Sequence, residues 1–263
     1  MNKFIVKKVI NSSLAVILSI LVVINSACAQ TNNIESISLE NNKDITIQVL
    51  MEDLYPLHYL KNGKIVGSSV DLIKKIFTKA KINYTVELQP WARVYNTALQ
   101  KPNVLLISIA RIKQREALFT WIGPVIKFNY FLYGLANTKV DAEMKIENIQ
   151  KYHVAIIRKT AIHQYLKSKN INNYQLVGSS KQAIKMLLAH RVDLVSGIEN
   201  IFTENCYRLK LACEKIKPLY RFKDIFTDIH IAMSKATDAA IVNRIKLAYK
   251  EIIEEDKANT PTH

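Results

Sequence analysis

Ile45-Thr46-Ile47-Gln48-Val49-Leu50 alternates apolar and polar residues, the period of a strand with one buried face. Asn62-Gly63 is a two-residue hairpin signal leading into Ile65-Val66-Gly67. Val70, Ile73, Ile76, Phe77 and Ala80 then recur at helical spacing, with Ser68 or Ser69 placed to cap the helix. Residues 84–88 predict a second strand and residues 91–99 a second helix. Residues 104–109 form an unbroken apolar run, as expected of a strand buried on both faces. The order β-α-β-α-β predicts an α/β unit with a parallel sheet.

The same order returns further on. Residues 129–135 predict a strand and residues 137–150 a polar connection. A second β-α-β-α-β run then covers 153–157, 160–167, 175–177, 181–189 and 193–197. Residues 229–233 predict a strand, and residues 239–253 a long helix with Ile241, Ile245, Ala248 and Ile252 on one face. No sequence repeat accompanies the repeated order. The expectation is an α/β protein of two lobes with a cleft between them. Residues 45–135 and 226–263 would form lobe one and residues 136–225 lobe two, after a loose tail at 30–44.

Residues 1–29 read as an export signal. Lys3, Lys7 and Lys8 precede an apolar run at 14–24 broken only by Ser19. That run is shorter than the roughly 20 residues needed to span a bilayer. Ala27-Cys28-Ala29 supplies the small residues of a cleavage site, so cleavage after Ala29 and a periplasmic location are expected. A retained anchor is one alternative. Lipidation at Cys28 is another, although Asn25 stands where a lipoprotein signal normally has Leu, Val or Ile.

Composition narrows the class. Hydrophobic residues at 49% and charged residues at 22% fit a globular protein rather than a disordered one. The net charge of +15 falls to +12 without the three signal lysines. The remaining cations are dispersed, for example Lys74, Lys75, Lys79 and Lys81 on one helix, which is a solvated face rather than a nucleic-acid surface. Three cysteines cannot build a disulfide scaffold or a four-cysteine zinc site. In an oxidising compartment Cys206 and Cys213 can pair if a turn separates them; the alternative is two reduced thiols on one helix. The six histidines are scattered without an H-E-x-x-H pattern, and neither G-x-S-x-G nor a glycine-rich phosphate loop is present. No cofactor or metal is expected.

Candidate chemistry gathers at predicted strand ends, where open α/β sheets bind ligands. Ser108-Ile109-Ala110-Arg111-Ile112-Lys113-Gln114-Arg115-Glu116 follows the buried third strand. An arginine there offers a planar fork for a carboxylate. Glu52-Asp53-Leu54-Tyr55-Pro56 ends the first strand. Trp91, in Gln89-Pro90-Trp91-Ala92-Arg93, can stack on a ligand or pack in the core. Phe119-Thr120-Trp121-Ile122-Gly123-Pro124 can wall a pocket or pack in the core. Arg158-Lys159-Thr160 opens a helix whose first amides can bind an anion, although Thr160 is also an ordinary cap.

Taken together, these stretches resemble the family 3 solute-binding proteins of bacterial ABC transporters, the polar amino-acid-binding type, over most of residues 45–255. Residues 65–72 resemble that family's G-F-x-x-D-L segment, with Ser68 for the usual Phe. Residues 111–116 resemble its T-x-x-R element, with Ile112 for Thr. Trp91 to Arg93 and Phe119 to Pro124 resemble a divergent branch carrying P-W-x-R and F-x-W-x-G-P. Residues 191–195 resemble the strand that leads to the lobe-two ligand carboxylate.

The resemblance implies a two-lobed Venus-flytrap fold of type II, each lobe a mixed sheet flanked by helices and joined by two crossovers. It implies capture of an amino acid or related carboxylate for an ABC permease, by a monomer. Arg115 would grip the carboxylate, assisted by Ser108 and Ala110, with Thr160 and Ala161 presenting lobe-two amides. The family's acidic residue for the α-amino group falls at Ile198, a departure that leaves Glu199 or Glu52 to substitute. Glu52, Tyr55, Trp91, Arg111 and Arg158 complete the candidate pocket. The arginines favour an anionic or zwitterionic ligand. Two rivals stay open: a dehydratase of cyclic carboxylic acids on the same fold, with Glu199 or Glu52 as acid or base, and an extracytoplasmic ligand sensor.

Overall fold

The computed structural model describes residues 45–140, 144–223 and 227–259. The expected signal peptide, the tail at 30–44 and Cys28 lie outside the described residues.

Strands β1 (Thr46–Met51), β4 (Asn83–Leu88) and β5 (Val104–Ala110) alternate with helices α1 (Ser68–Ala80) and α2 (Trp91–Gln100). β1 runs parallel to both β4 and β5. All seven residues of β5 are buried, as the unbroken apolar run predicts for a central strand. Between β1 and α1 a hairpin joins β2 (Tyr59–Lys61) to β3 (Lys64–Val66). Its turn residues Asn62 and Gly63 both have positive φ, 50° and 74°, which matches the right-handed twist of the flanking strands.

α1 begins differently from the expectation. Neither Ser68 nor Ser69 caps it. Gly67 holds the cap position at φ 127°, and the Ser69 hydroxyl is buried without a partner. Gly67 is required there, because a Cβ would lie 2.4 Å from the Leu57 carbonyl oxygen.

Two strands complete the first sheet, in the order β4-β1-β5-β12-β6. β6 (Phe119–Phe128) and β12 (Thr227–Ser234) are antiparallel to each other, and β12 to β5. The Phe119 to Pro124 stretch, read above only as pocket wall or core, is thus the first part of a ten-residue strand. Its register against β12 shifts twice, which erases a clean two-residue period. Helix α6 (Ala239–Ala258) packs on it by laying Tyr249 over Gly123. A Cβ at Gly123 would stand 2.1 Å from that ring.

The second sheet has the order β11-β7-β10-β8-β9. It contains β7 (Tyr130–Leu135), β8 (Val154–Ile157), β9 (Gln175–Val177) and β10 (Leu194–Ile198). α3 (Ala161–Ser168) and α4 (Ser180–Leu188) connect β8, β9 and β10, as the pattern predicts. β7 pairs antiparallel with β10 and with β11 (Ile216–Arg221). Tyr130–Leu135 therefore belongs to lobe two, and the boundary expected at 135/136 moves back to Asn129, which alone separates β6 from β7.

α5 (Glu199–Arg208) and β11 were not expected. α5 carries only Ile201, Phe202 and Cys206 as buried apolar residues in a polar sequence. β11 contains Pro218, which argues against a strand. It is tolerated because β11 is an edge strand with an irregularity at that point. Cys206 and Cys213 are joined in a disulfide across the turn after α5, with Cα atoms 5.8 Å apart. Closing so short a loop stabilises the fold by about 2.5 kcal/mol in the chain-entropy account. Among the described residues no helix is long and apolar enough to cross a membrane.

Candidate functional site

A cavity of about 90 Å³ lies between the two sheets. A single water needs about 10–15 Å³, so this space admits a small molecule or several waters. Lobe one reaches it through the ends of β1 and β5, lobe two through the starts of α3 and α5.

Arg115 follows β5 in a single 3-10 turn and is 1% exposed. Its guanidinium lies 5.5 Å from the Trp91 ring centroid and 5.0 Å from that of Tyr95, a cation–π arrangement on two sides. Nη1 donates to the Ala110 carbonyl at 3.1 Å. Across the cleft, Nε donates to Gln164 Oε1 at 2.9 Å and Nη2 to the Lys159 carbonyl at 2.8 Å. Trp91 Nε1 donates to the same carbonyl at 2.9 Å. Burial lowers the Arg115 pKa, opposed by Tyr95, Tyr130 and Glu52, but a guanidinium stays charged. Arg115 therefore both lines the cavity and ties the lobes together.

Glu52, at the end of β1, is half-buried and lines the cavity. Burial pushes its pKa up to about 7; the neighbouring Asp53 adds to the rise and Arg115 opposes it. Tyr130 lines the same space, and burial holds its phenol above the usual range.

Backbone strain occurs at Ser108 in the cavity lining and at Lys159, the residue before Thr160 of that lining. Ser108 has φ 64° and Lys159 φ 63°. Non-glycine residues adopt that region uncommonly, and such positions cluster at functional sites. The Ser108 hydroxyl is buried without a partner. Thr160 caps α3: its Oγ1 donates to the Ile157 carbonyl at 2.8 Å and accepts from the His163 amide at 3.4 Å. Ala161 and Ile162 line the cavity in the first turn of α3, where amides have no intrahelical acceptor.

Of the expected pocket, the structure brings together Arg115, Glu52, Trp91, Ser108, Thr160 and Ala161. Four others lie elsewhere. Arg111 is paired with Glu116, Nε at 2.6 Å and Nη2 at 3.1 Å, and sits over Trp121 on the outer surface. Arg158 is exposed and reaches the Leu176 carbonyl at 3.4 Å. Tyr55 packs edge-on against Tyr59 and beneath Arg208. Glu199 turns to the crossover: its Oε2 accepts from Asn129 Nδ2 at 2.7 Å, and Asn129 Oδ1 accepts from Arg221 at 2.7 Å.

The lining also includes residues that the sequence reading missed. Ile201 and Phe202 belong to the unexpected α5, and Asn205 and Ser180 flank them. Phe202 stacks on Tyr133 at 4.0 Å, which Gly197 permits, since a Cβ there would meet the Phe202 ring at 2.4 Å. Ser179-Ser180, a helix-start signal in plain view, was the one cue that could have placed Ser180. Among the described residues no group of histidine, cysteine and carboxylate side chains could hold a metal ion.

No protein-family model and no curated protein matches the chain. Solved structures do. A histidine kinase sensor domain with similarity to periplasmic binding proteins superposes with a TM-score of 0.72 at 17% identity, over 81% of this chain and 92% of that one. The arginine-, lysine-, histidine-binding protein ArtJ from Geobacillus stearothermophilus gives 0.69 at 16%, over 81% and 91%. The amino acid ABC transporter substrate-binding protein AbpA from Streptococcus pneumoniae, bound to L-arginine, gives 0.66 at 17%, over 80% and 90%. With its two mixed sheets, double crossover and interlobe cavity, the chain has the two-lobed fold of the periplasmic binding proteins.

Proposed function

We propose that this protein is an exported solute-binding protein that captures a small amino acid or related carboxylate between its lobes for an ABC permease. It works as a monomer and without chemistry on the ligand. One observation carries the reading: a buried guanidinium, an unpartnered serine hydroxyl and the first turn of α3 converge on one cavity built from both lobes. Donors of that kind suit a carboxylate. Glu52 on the same wall can accept from an ammonium or hydroxyl, so an anionic or zwitterionic ligand fits. A ligand touching both lobes favours the closed form by its differential affinity.

A thermal-shift screen of amino acids and small carboxylates tests this. A ligand at a thousand times its Kd adds about 4 kcal/mol to stability. Arg115→Ala should abolish the shift; a hit that stabilises this variant as well as wild type would remove Arg115 from the site.

A second reading rests on Glu52. A carboxyl group whose pKa is near 7 in a cavity is suited to general acid or base work. Turnover of a cyclic hydroxy acid, lost in Glu52→Gln, would make the protein a dehydratase on this fold instead.

A further inference from the structure

A second set of contacts joins the lobes beside the cavity, through Asp53, which also lines it. Arg208 ends α5 in lobe two, and its Nη2 donates to Asp53 Oδ1 in lobe one at 2.8 Å. The guanidinium carbon lies 5.6 Å from the Tyr55 ring centroid and 5.9 Å from that of Tyr59. Asn205 holds it from behind, its Oδ1 accepting from Nε at 3.3 Å and Nη2 at 3.1 Å. Asn205 is itself buried, lines the cavity and donates to Ser180 Oγ at 2.9 Å. Arg208 keeps 24% and Asp53 45% of its side chain exposed, so water reaches the pair.

We infer that Arg208 is a positioning residue that latches α5 onto Asp53, Tyr55 and Tyr59, holding the lobes together and raising ligand affinity without touching the ligand. An isolated surface ion pair shifts an equilibrium only a few-fold. Here a planar fork, oriented by Asn205 of its own helix, meets a carboxylate and two aromatic faces of lobe one at once, and those three contacts are lost if the lobes separate. Apparent affinity scales with the fraction of molecules already competent to bind, so loosening the latch weakens binding. The affinity effect rests on the solute-binding reading; the latch itself does not.

The latch can be read without any ligand. The sequence has two tryptophans, and Trp121→Phe leaves Trp91 alone. Trp91 is 4% exposed and hydrogen-bonded across the cleft to Lys159, so opening admits water to its indole. In that background Arg208→Ala should shift emission to the red and raise acrylamide quenching about fivefold. Asp53→Asn, the milder change, should do the same to a smaller extent, and the double variant should add little to Arg208→Ala alone. Unchanged emission in folded variants, or strictly additive effects, would overturn the latch. With a ligand from the screen, Arg208→Ala should bind about fivefold more weakly through faster dissociation. Should no compound bind, the solute-binding reading falls while the emission result still decides the latch.

Discussion

Glu52, Asp53 and Arg115, the charged side chains that line the cavity, all come from lobe one; lobe two faces them with hydroxyls, helix-start amides and apolar side chains. In lobe one the charges stand at the ends of β1 and β5, strands buried in the middle of a sheet, so their positions are fixed before a ligand arrives. Lobe two closes over them as an uncharged wall of Ile198, Ile201 and Phe202 with the start of α3 beside it. Separating this wall from Arg115 breaks hydrogen bonds to a carbonyl and an amide, while Asp53 also loses its ion pair with Arg208. The ion pair that crosses the lobes joins Asp53 of the lining to Arg208, which itself lies outside it.

This division can be broken in several ways. The largest effect should come from Arg115→Ala, which takes a donor from the Ala110 and Lys159 carbonyls and from Gln164 Oε1, leaving Lys159 only its bond from Trp91, and empties the space between Trp91 and Tyr95. We expect a loss of about 2–4 kcal/mol in denaturant unfolding and at least a hundredfold loss of binding. Thr160→Ala on the facing wall removes one cap, at about 1 kcal/mol. An equal or larger loss from Thr160→Ala would reverse the assignment of roles.

Ile198→Asp would place a charge in the neutral wall. A cost of about 1–3 kcal/mol is expected from its burial. If the ligand is an α-amino acid, calorimetry should show this variant gaining affinity for it relative to the deaminated acid. No change in that ratio would mean that Ile198 does not face the ligand's α-position.

Titration offers a smaller test. Glu52 is raised from 4.5 to about 7 and His58, fully buried in lobe one, lowered from 6.5 to about 3, in both cases first by burial. Glu52 holds its proton more tightly when folded, so its contribution to stability is complete below pH 4.5 and lost as pH rises through 7. His58 is neutral when folded, so its contribution is complete above pH 6.5 and lost as pH falls towards 3. The two oppose each other between 4.5 and 6.5, so their contributions should largely cancel there. Glu52→Gln should uncover the histidine slope, a fall on the order of 2 kcal/mol from pH 6.5 to 4.5. A flat profile in that variant would contradict the burial of His58.

Smallest are Arg111→Ala and Arg158→Ala, both outside the cavity. Stability within about 0.5 kcal/mol of wild type and unchanged binding are expected. A tenfold binding loss in either would mean that the cavity extends beyond its present walls.

What could be read from sequence followed the strength of local periodicity. β5 announced itself as an apolar run, α1 and α6 as helical stripes, and α3 as a helix opened by Thr160. β6 and α5 did not, because register shifts break the one and polar residues dilute the other. Strand-end position offered Arg115, Ser108 and Thr160 as candidates alongside Arg111 and Arg158, and the family resemblance singled out the first three, which line the cavity. Arg111 and Arg158 shared that sequence position but lost it in three dimensions, since a residue next to a strand end can point to either side. Glu199 is one residue past Ile198, yet that single step turns it from the cavity to Asn129.

Ser108 shows where evolution would feel two demands at once. Its left-handed backbone would be easier for glycine, which lacks the Cβ that makes φ 64° unfavourable. Glycine would also delete the buried hydroxyl that has no protein partner. Replacing Ser108 by glycine should therefore make the ligand-free fold sturdier and the bound state poorer, so a selection for heat resistance alone would drift towards a protein that survives and no longer binds.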